Sequence, residues 1–297
     1  MQDKFAGVHW MLSTPFNESE QVDYESLARL IVKAREFGCV GVVVLGVTGE
    51  VAKLTDSERY NIVEFVVQKA EGLSVVVGTT GSGTAVAVAR SQEADQLGAH
   101  ALMIAPPPIA KPNPAAVIHY YSSIAASTSL PLVIQDYPAV SGVYMTVELM
   151  KKLADQLPSF KYLKLEDPPT PTKLSMIKKS LGDRIGVFGG LGGLCLFDEL
   201  NRGSLGAMTG FAFIEIFVKI VQYVQQKQHG EARELFNKYL PLVQMEMQEG
   251  IGLSIRKEAL RLRGLIDTAL VRHPGVNIDD LTRNELKTLV SWLGLEF

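Results

Sequence analysis

The sequence predicts a (β/α)8 barrel followed by a helical extension. Three observations carry this: eight short β-rich runs that end in small or turn residues, amphipathic segments between them, and helical patterning alone after the eighth. The runs are GVHWMLSTPF (7–16), VGVVVLGVTG (40–49), SVVVGTTG (74–81), ALMIAPPP (101–108), LVIQDYP (132–138), YLKLED (162–167), GVFGGLGG (186–193) and GAMTGFAF (206–213). Most begin about 25 to 34 residues apart, the length of one strand, one helix and two loops, and such alternation joins parallel strands by right-handed crossovers. A doubly wound open sheet is the competing architecture. No GxGxxG follows the first run, however, and the cluster GGLGG (189–193) arrives at the seventh without dinucleotide-fingerprint spacing.

Between the runs, DYESLARLIVKAREFG (23–38) places Leu27, Leu30, Ile31 and Ala34 on one helical face, and DSERYNIVEFVVQKAEG (56–72) opens with Asp56 as its expected cap. After the eighth run, IFVKIVQYVQQ, GEARELFNKYLPLVQMEMQ and SIRKEALRLRGL are amphipathic. The tail LTRNELKTLVSWLGL reads as a last helix with a Thr cap and an acidic first turn. More helix follows than barrel closure requires. The expected division is therefore a catalytic barrel over residues 1–224 and a helical region over 225–297, with Met245 and Met247 as core packing.

A chain of 297 residues that is 47% hydrophobic can bury a large core, and a net charge of −3 with no Lys/Arg block excludes electrostatic recruitment to nucleic acid or to an anionic membrane. Cys39 and Cys195 lie in apolar stretches without CxxC spacing and read as buried thiols of a reducing compartment. No apolar run approaches the roughly 18 to 20 residues that span a bilayer, and the first residues lack a basic start before an apolar segment, so a cytoplasmic location is expected. There is no HExxH, no His or Cys cluster and no carboxylate-rich metal motif.

In a barrel of this kind the loops after the strands build the active site. The run YLKLED sets Lys164 mid-strand between Leu163 and Leu165, with Tyr162 and Glu166 on its own face and Lys161 on the other. An inward lysine is partly desolvated, which favours the neutral amine, and a neutral amine attacks carbonyl carbon. An ion pair with Glu166 is the competing reading. The segment GVTGE (46–50) places the Thr48 hydroxyl and backbone N–H groups in a glycine-flanked turn suited to a carboxylate, so a 2-oxo acid would set its carboxylate on the turn and its ketone beside the amine. His9 in the first strand is expected as a packed residue.

STPF at the end of the first run, GVTGE after the second, YPAVSGV after the fifth and the lone lysine of the sixth together resemble the dihydrodipicolinate synthase / N-acetylneuraminate lyase family over essentially the whole chain. The resemblance implies that Lys164 forms a Schiff base with a 2-oxo acid, that no metal or other cofactor is needed, and that the protein is a homotetramer. It also implies that Thr48 and Gly49 bind the substrate carboxylate, with Val47, Thr14, Met208 and Gly190 as further substrate-binding candidates. Three relay hydroxyls of the synthases are absent: Val47 stands where they carry Thr, Gln135 stands three residues before Pro138 where they carry Tyr, and Pro107-Pro108 replace a loop Tyr. Their second-carboxylate Arg falls near Gly142.

Gln135-Asp136 before the proline resembles the sugar-acid branch, notably 2-keto-3-deoxy-L-arabonate dehydratase. The expected activity is dehydration or retro-aldol cleavage of a 2-keto-3-deoxy sugar acid. Lys164, Gln135 and Tyr137 are the candidate catalytic residues, with Thr48 or a water as alternative proton carriers. Three other readings stay open: 4-hydroxy-tetrahydrodipicolinate synthase, a cyclic-imine deaminase, and a barrel that binds 2-oxo acids without turnover.

Overall fold

The computed structural model describes residues 3–108 and 113–297. Eight parallel strands close into one barrel: β1 (Gly7–Met11), β2 (Gly41–Val44), β3 (Ser74–Gly78), β4 (Ala101–Ile104), β5 (Leu132–Asp136), β6 (Phe160–Leu165), β7 (Gly186–Gly189) and β8 (Gly206–Thr209), with β8 pairing back onto β1. Every strand but β6 is shorter than the run that predicts it, and the rest of the run, such as Ser13-Thr14-Pro15 or Gly46-Val47-Thr48, is already active-face loop; β6 instead begins two residues before its run, at Phe160.

Outside the barrel lie α1 (Tyr24–Glu36), α2 (Asp56–Lys69), α3 (Thr84–Gln96), α4 (Pro114–Ala125), the short α5 (Pro138–Ser141), α6 (Val147–Gln156), α7 (Thr170–Leu181), α8 (Leu196–Asn201) and α9 (Ile214–Gln225). Three more helices follow: α10 (His229–Glu246), α11 (Gly252–Leu262) and α12 (Asp280–Trp292). Two caps differ from the expected ones. Thr55, not Asp56, caps α2, because its hydroxyl accepts the Glu58 N–H while the Glu58 carboxylate accepts the Thr55 N–H, satisfying two end donors at once. Asp279, not Thr282, caps α12, its carboxylate accepting the Thr282 N–H at 2.7 Å.

Side chains alternate across each strand. Val42, Val44, Val75, Val77, Leu102, Ile104, Ile134, Leu163 and Leu165 point outward into the layer shared with the helices, and Met11, Val43, Val76, Met103, Val133, Tyr162, Phe188 and Met208 fill the interior. Strand β6 breaks simple alternation. Leu132 pairs with Phe160 but Val133 pairs with Tyr162, so Lys161 is an extra residue, and Phe160 joins the outer layer while Tyr162 turns inward. The bulge sets the parity that follows: Lys164 lies inside, opposite Gln135 on β5 and Phe188 on β7.

Helix α11 departs most from its sequence pattern. Read as amphipathic, it is buried from Ser254 through Leu260, charges included. Each charge has a partner: Arg256 Nε meets Glu246 at 2.8 Å, Lys257 Nζ meets Glu50 at 2.5 Å, and Glu258 accepts from Arg261 and Arg283. Lys257 also donates to the Leu270 carbonyl and lies over the Phe16 ring, and burial lowers its ammonium to about 8. Glu50 in turn accepts from Lys53 and from the Arg272 N–H, which ties the loop after β2 to the helical extension.

Removing one member of a buried pair leaves an uncompensated charge, which costs about 3–5 kcal/mol. Glu50→Gln is therefore expected to lower unfolding free energy by that amount in urea denaturation, and Glu50→Gln with Lys257→Met to recover at least half of it. A double variant no more stable than the single one would show that the pair is not what fastens α11 to the β2 loop.

Candidate active site

The strands end around a cavity of about 660 Å³ whose lining includes Lys164, Glu166, Gln135, Tyr137, Thr48, Val47 and Met208. A neighbouring cavity of about 570 Å³ shares Val47, Gln135, Tyr137 and Val140, and extends under Thr80 and Pro108. Lys164 is 2% exposed: its ammonium pairs with Glu166 at 2.9 Å, as the competing reading expected, and it also lines the cavity. Glu166, read from sequence only as a rival explanation for the lysine, is the most connected polar group in the site. It accepts from Gln135 Nε2 at 2.6 Å and from the Leu191 N–H at 3.3 Å.

Gly190 makes that arrangement possible, since a Cβ there would stand 2.2 Å from Glu166 Cγ. Gly190 is thus behind the carboxylate, and Gly49 and Thr14 are likewise absent from the cavity lining. Thr14 instead braces the turn, its hydroxyl donating to the Gly49 carbonyl at 2.7 Å. The turn Val47–Gly49 keeps two N–H groups for itself, Gly49 N–H to Gly46 O and Glu50 N–H to Val47 O. It turns Val47 and Thr48 to the cavity, and the Thr48 hydroxyl is buried with no hydrogen-bond partner.

Tyr137 lines the cavity at the start of α5. Burial, with the Glu166 and Glu249 charges, raises its phenol above the usual range, so it stays a hydrogen-bond donor at neutral pH. The amide nitrogen of Gln135 is engaged by Glu166, so this residue orients the carboxylate. His9 sits low in the barrel with Nε2 3.0 Å from Ser74 Oγ, and burial drops its ring to about 3, which keeps it neutral. Cys39 is buried, but Cys195 is only half-buried, because it lies in the turn that precedes α8.

The helical extension forms one wall of the cavity, which the sequence did not reveal. Glu246, Met247, Gln248, Glu249 and Arg256 all line it. Met247, expected in the core, packs over Gly192 of the β7 loop. Among the described residues no group of three or more His, Cys, Asp or Glu is placed to hold a metal ion, and no helix is long and apolar enough to cross a membrane.

The Dihydrodipicolinate synthetase family model matches residues 4–293. The L-2-keto-3-deoxyarabonate dehydratase of Azospirillum brasilense is 28% identical over 285 residues, 94% of this chain and 92% of that protein. The 4-hydroxy-tetrahydrodipicolinate synthase of Parabacteroides distasonis is also 28% identical, over 98% of this chain and 97% of its own. Among solved structures, a dihydrodipicolinate synthase from Rhodopseudomonas palustris superposes with a TM-score of 0.92 at 33% identity, covering 98% of each chain. A prophage protein of the dihydrodipicolinic acid synthase family from E. coli K12, in complex with pyruvate, gives 0.92 at 27% identity over 98% of this chain and 99% of that one.

Behind the site, Glu199 on α8 accepts from Thr170 Oγ1 at 2.5 Å, leaves its second oxygen unpartnered, and is pushed up to about 7 by burial. A carboxyl raised in the folded state binds more protons there than in the unfolded chain, so stability falls as pH rises from the unfolded value near 4.5 to about 7. The contribution is on the order of 3 kcal/mol. Glu199→Gln is expected to flatten the pH dependence of urea unfolding across that window; an unchanged slope would place the titration elsewhere.

Proposed function

The chain belongs to the dihydrodipicolinate synthetase family, and from that premise we propose that it is a Schiff-base lyase that dehydrates a 2-keto-3-deoxy sugar acid. The observation that carries this reading is the Lys164–Glu166 pair facing the cavity, at a site where Gln135 stands in place of the relay tyrosine. Relatives named both as a dehydratase and as synthases match at 28% identity. The residues favour the former, because Val47, Gln135 and Pro107-Pro108 supply none of the relay hydroxyls and Gly142 supplies no cation for a second carboxylate.

In the proposed reaction one proton passes from Lys164 to Glu166 across 2.9 Å, leaving a neutral amine and a neutral acid. The amine adds to the C2 ketone of a substrate whose carboxylate accepts from Thr48. The carbinolamine then takes a proton from Glu166 and loses water, giving an iminium. The Glu166 carboxylate next removes a proton from C3, forming the enamine. The enamine expels the C4 hydroxyl, which leaves as water with the proton returned by Glu166, and hydrolysis of the unsaturated iminium frees Lys164. Gln135 fixes the carboxylate, and Tyr137 is a donor to substrate oxygen. Retro-aldol cleavage would instead take the proton from the C4 hydroxyl of the first iminium and break C3–C4. Family membership also supports a cytoplasmic homotetramer as the working form.

Borohydride added with pyruvate is expected to leave a stable adduct on Lys164, read by peptide mass spectrometry. Glu166→Gln is expected to retain ketone binding but to lower kcat on 2-keto-3-deoxy acids by about 10²- to 10⁴-fold, the range of a lost acid–base group. An adduct on another lysine, or unimpaired turnover by the Gln variant, would remove the mechanism. Pyruvate release in place of water loss would select the aldolase outcome.

A further inference from the structure

On the premise of the Schiff-base reading, we propose that Arg256, held by Glu246, recognises the far end of the substrate, and that this end is a neutral hydroxyl. A second carboxylate or a phosphate is disfavoured there. Arg256 is 5% exposed and lines the same cavity as Lys164. Its Nε donates to Glu246 Oε2 at 2.8 Å, and the Glu246 carboxylate is itself fixed by the Ala212 N–H at 3.0 and 3.3 Å, so the loop after β8 anchors the pair.

A guanidinium has five N–H donors. Among the described residues neither Nη of Arg256 has a protein acceptor, which leaves its outer donors to whatever fills the cavity. A Cβ on Gly210 would stand 3.2 Å from Arg256 Nη1, so the fork lies against the end of β8. There Thr209, also a lining residue, buries a hydroxyl oxygen with no partner. With Lys164 of β6 taken by the ketone and Thr48 of the β2 turn by the carboxylate of a 2-oxo acid, Arg256 and Thr209 are the groups left over.

Charge then selects among the groups that could occupy this end. The cation of Arg256 is already matched by Glu246, and Glu249 adds another carboxylate to the same wall. An anionic tail would meet both acids across one compensated guanidinium, which works against it. A hydroxyl accepts from Nη and donates to Thr209 Oγ1 or to Glu249 without repulsion.

The test compares three acids that differ at one position: 2-keto-3-deoxypentonate, its analogue with CH3 in place of the terminal CH2OH, and its analogue with a carboxylate there. On the unaltered chain kcat/KM is expected to favour CH2OH over each of the others by about 10- to 100-fold, the value of a hydrogen bond to a charged group. Arg256→Lys keeps a cation for Glu246 but loses the fork, and is expected to bring the CH2OH-to-CH3 ratio to within about 3-fold. A ratio of two substrates on one variant is insensitive to partial loss of folded protein. Equal turnover of the CH3 analogue, preference for the carboxylate, or an unchanged ratio in Arg256→Lys would each overturn the proposal. Absence of a pyruvate adduct on Lys164 of the unaltered chain would overturn its premise instead.

Discussion

An ammonium and a carboxylate 2.9 Å apart inside the mouth of a strand barrel set the terms for everything around them. Taking two charges out of water costs several kcal/mol each, and their attraction repays this only when further hydrogen bonds complete the carboxylate. Gln135 and the Leu191 N–H do so here. The bulge at Lys161 turns Lys164 and Glu166 inward, and glycine at 190 clears the space that the Glu166 side chain occupies. A pair of this kind contributes little to folding. In the proposed mechanism one short proton movement converts it to the neutral amine and acid that imine chemistry uses.

The same accounting of charge governs the helical extension. Arg256, Lys257 and Glu258 are consecutive and all buried, an arrangement stable only because Glu246, Glu50, Arg261 and Arg283 reach them from four different places in the chain. Glu50 links this set to the Val47–Gly49 turn, whose Thr48 faces the cavity. The extension is thereby fastened to the substrate side of the barrel by buried ion pairs, and the active-face loops are positioned from both directions.

The barrel was legible because its signals are local: β-rich runs of period two, helical faces between them, and turn residues at each junction. Lys164 was legible for the same reason, as a lysine inside a strand pattern. The Arg256–Lys257–Glu258 run was not, since its partners lie up to 207 positions away and periodicity reads such a run as a solvated face. Glu166 was visible as a partner for the lysine, and the pair is present at 2.9 Å, but i, i+2 spacing shows only a shared face and carries no sign of the Gln135 and Leu191 donors that complete the carboxylate. Thr14 and Gly190 stood among the substrate-binding candidates; the structure sets the Thr14 hydroxyl on the Gly49 carbonyl and Gly190 against the Glu166 side chain, contacts that a sequence motif does not display. Both helix caps were misplaced by one to three residues, the error expected where Thr, Ser and Asp stand together and only geometry chooses among them.

On the proposed reading, the arrangement separates chemistry from recognition along the chain. Lys164, Gln135 and Thr48 come from strands or the turns directly after them, whose positions the closed hydrogen-bond ring holds rigid. The far wall comes from the end of α10, the start of α11 and the segment between them, where backbone is held by packing and by the Glu246–Arg256 pair. On that reading, substitution in the wall is expected to alter which acid fits without moving the amine, and substitution on β6 to alter the amine for every acid. Relatives at 28% identity can therefore share a fold over nearly their whole length and still differ in reaction. The proposed reading assigns the choice of acid to the mouth and the helical wall, which Val47, Gln135 and Arg256 line in this chain.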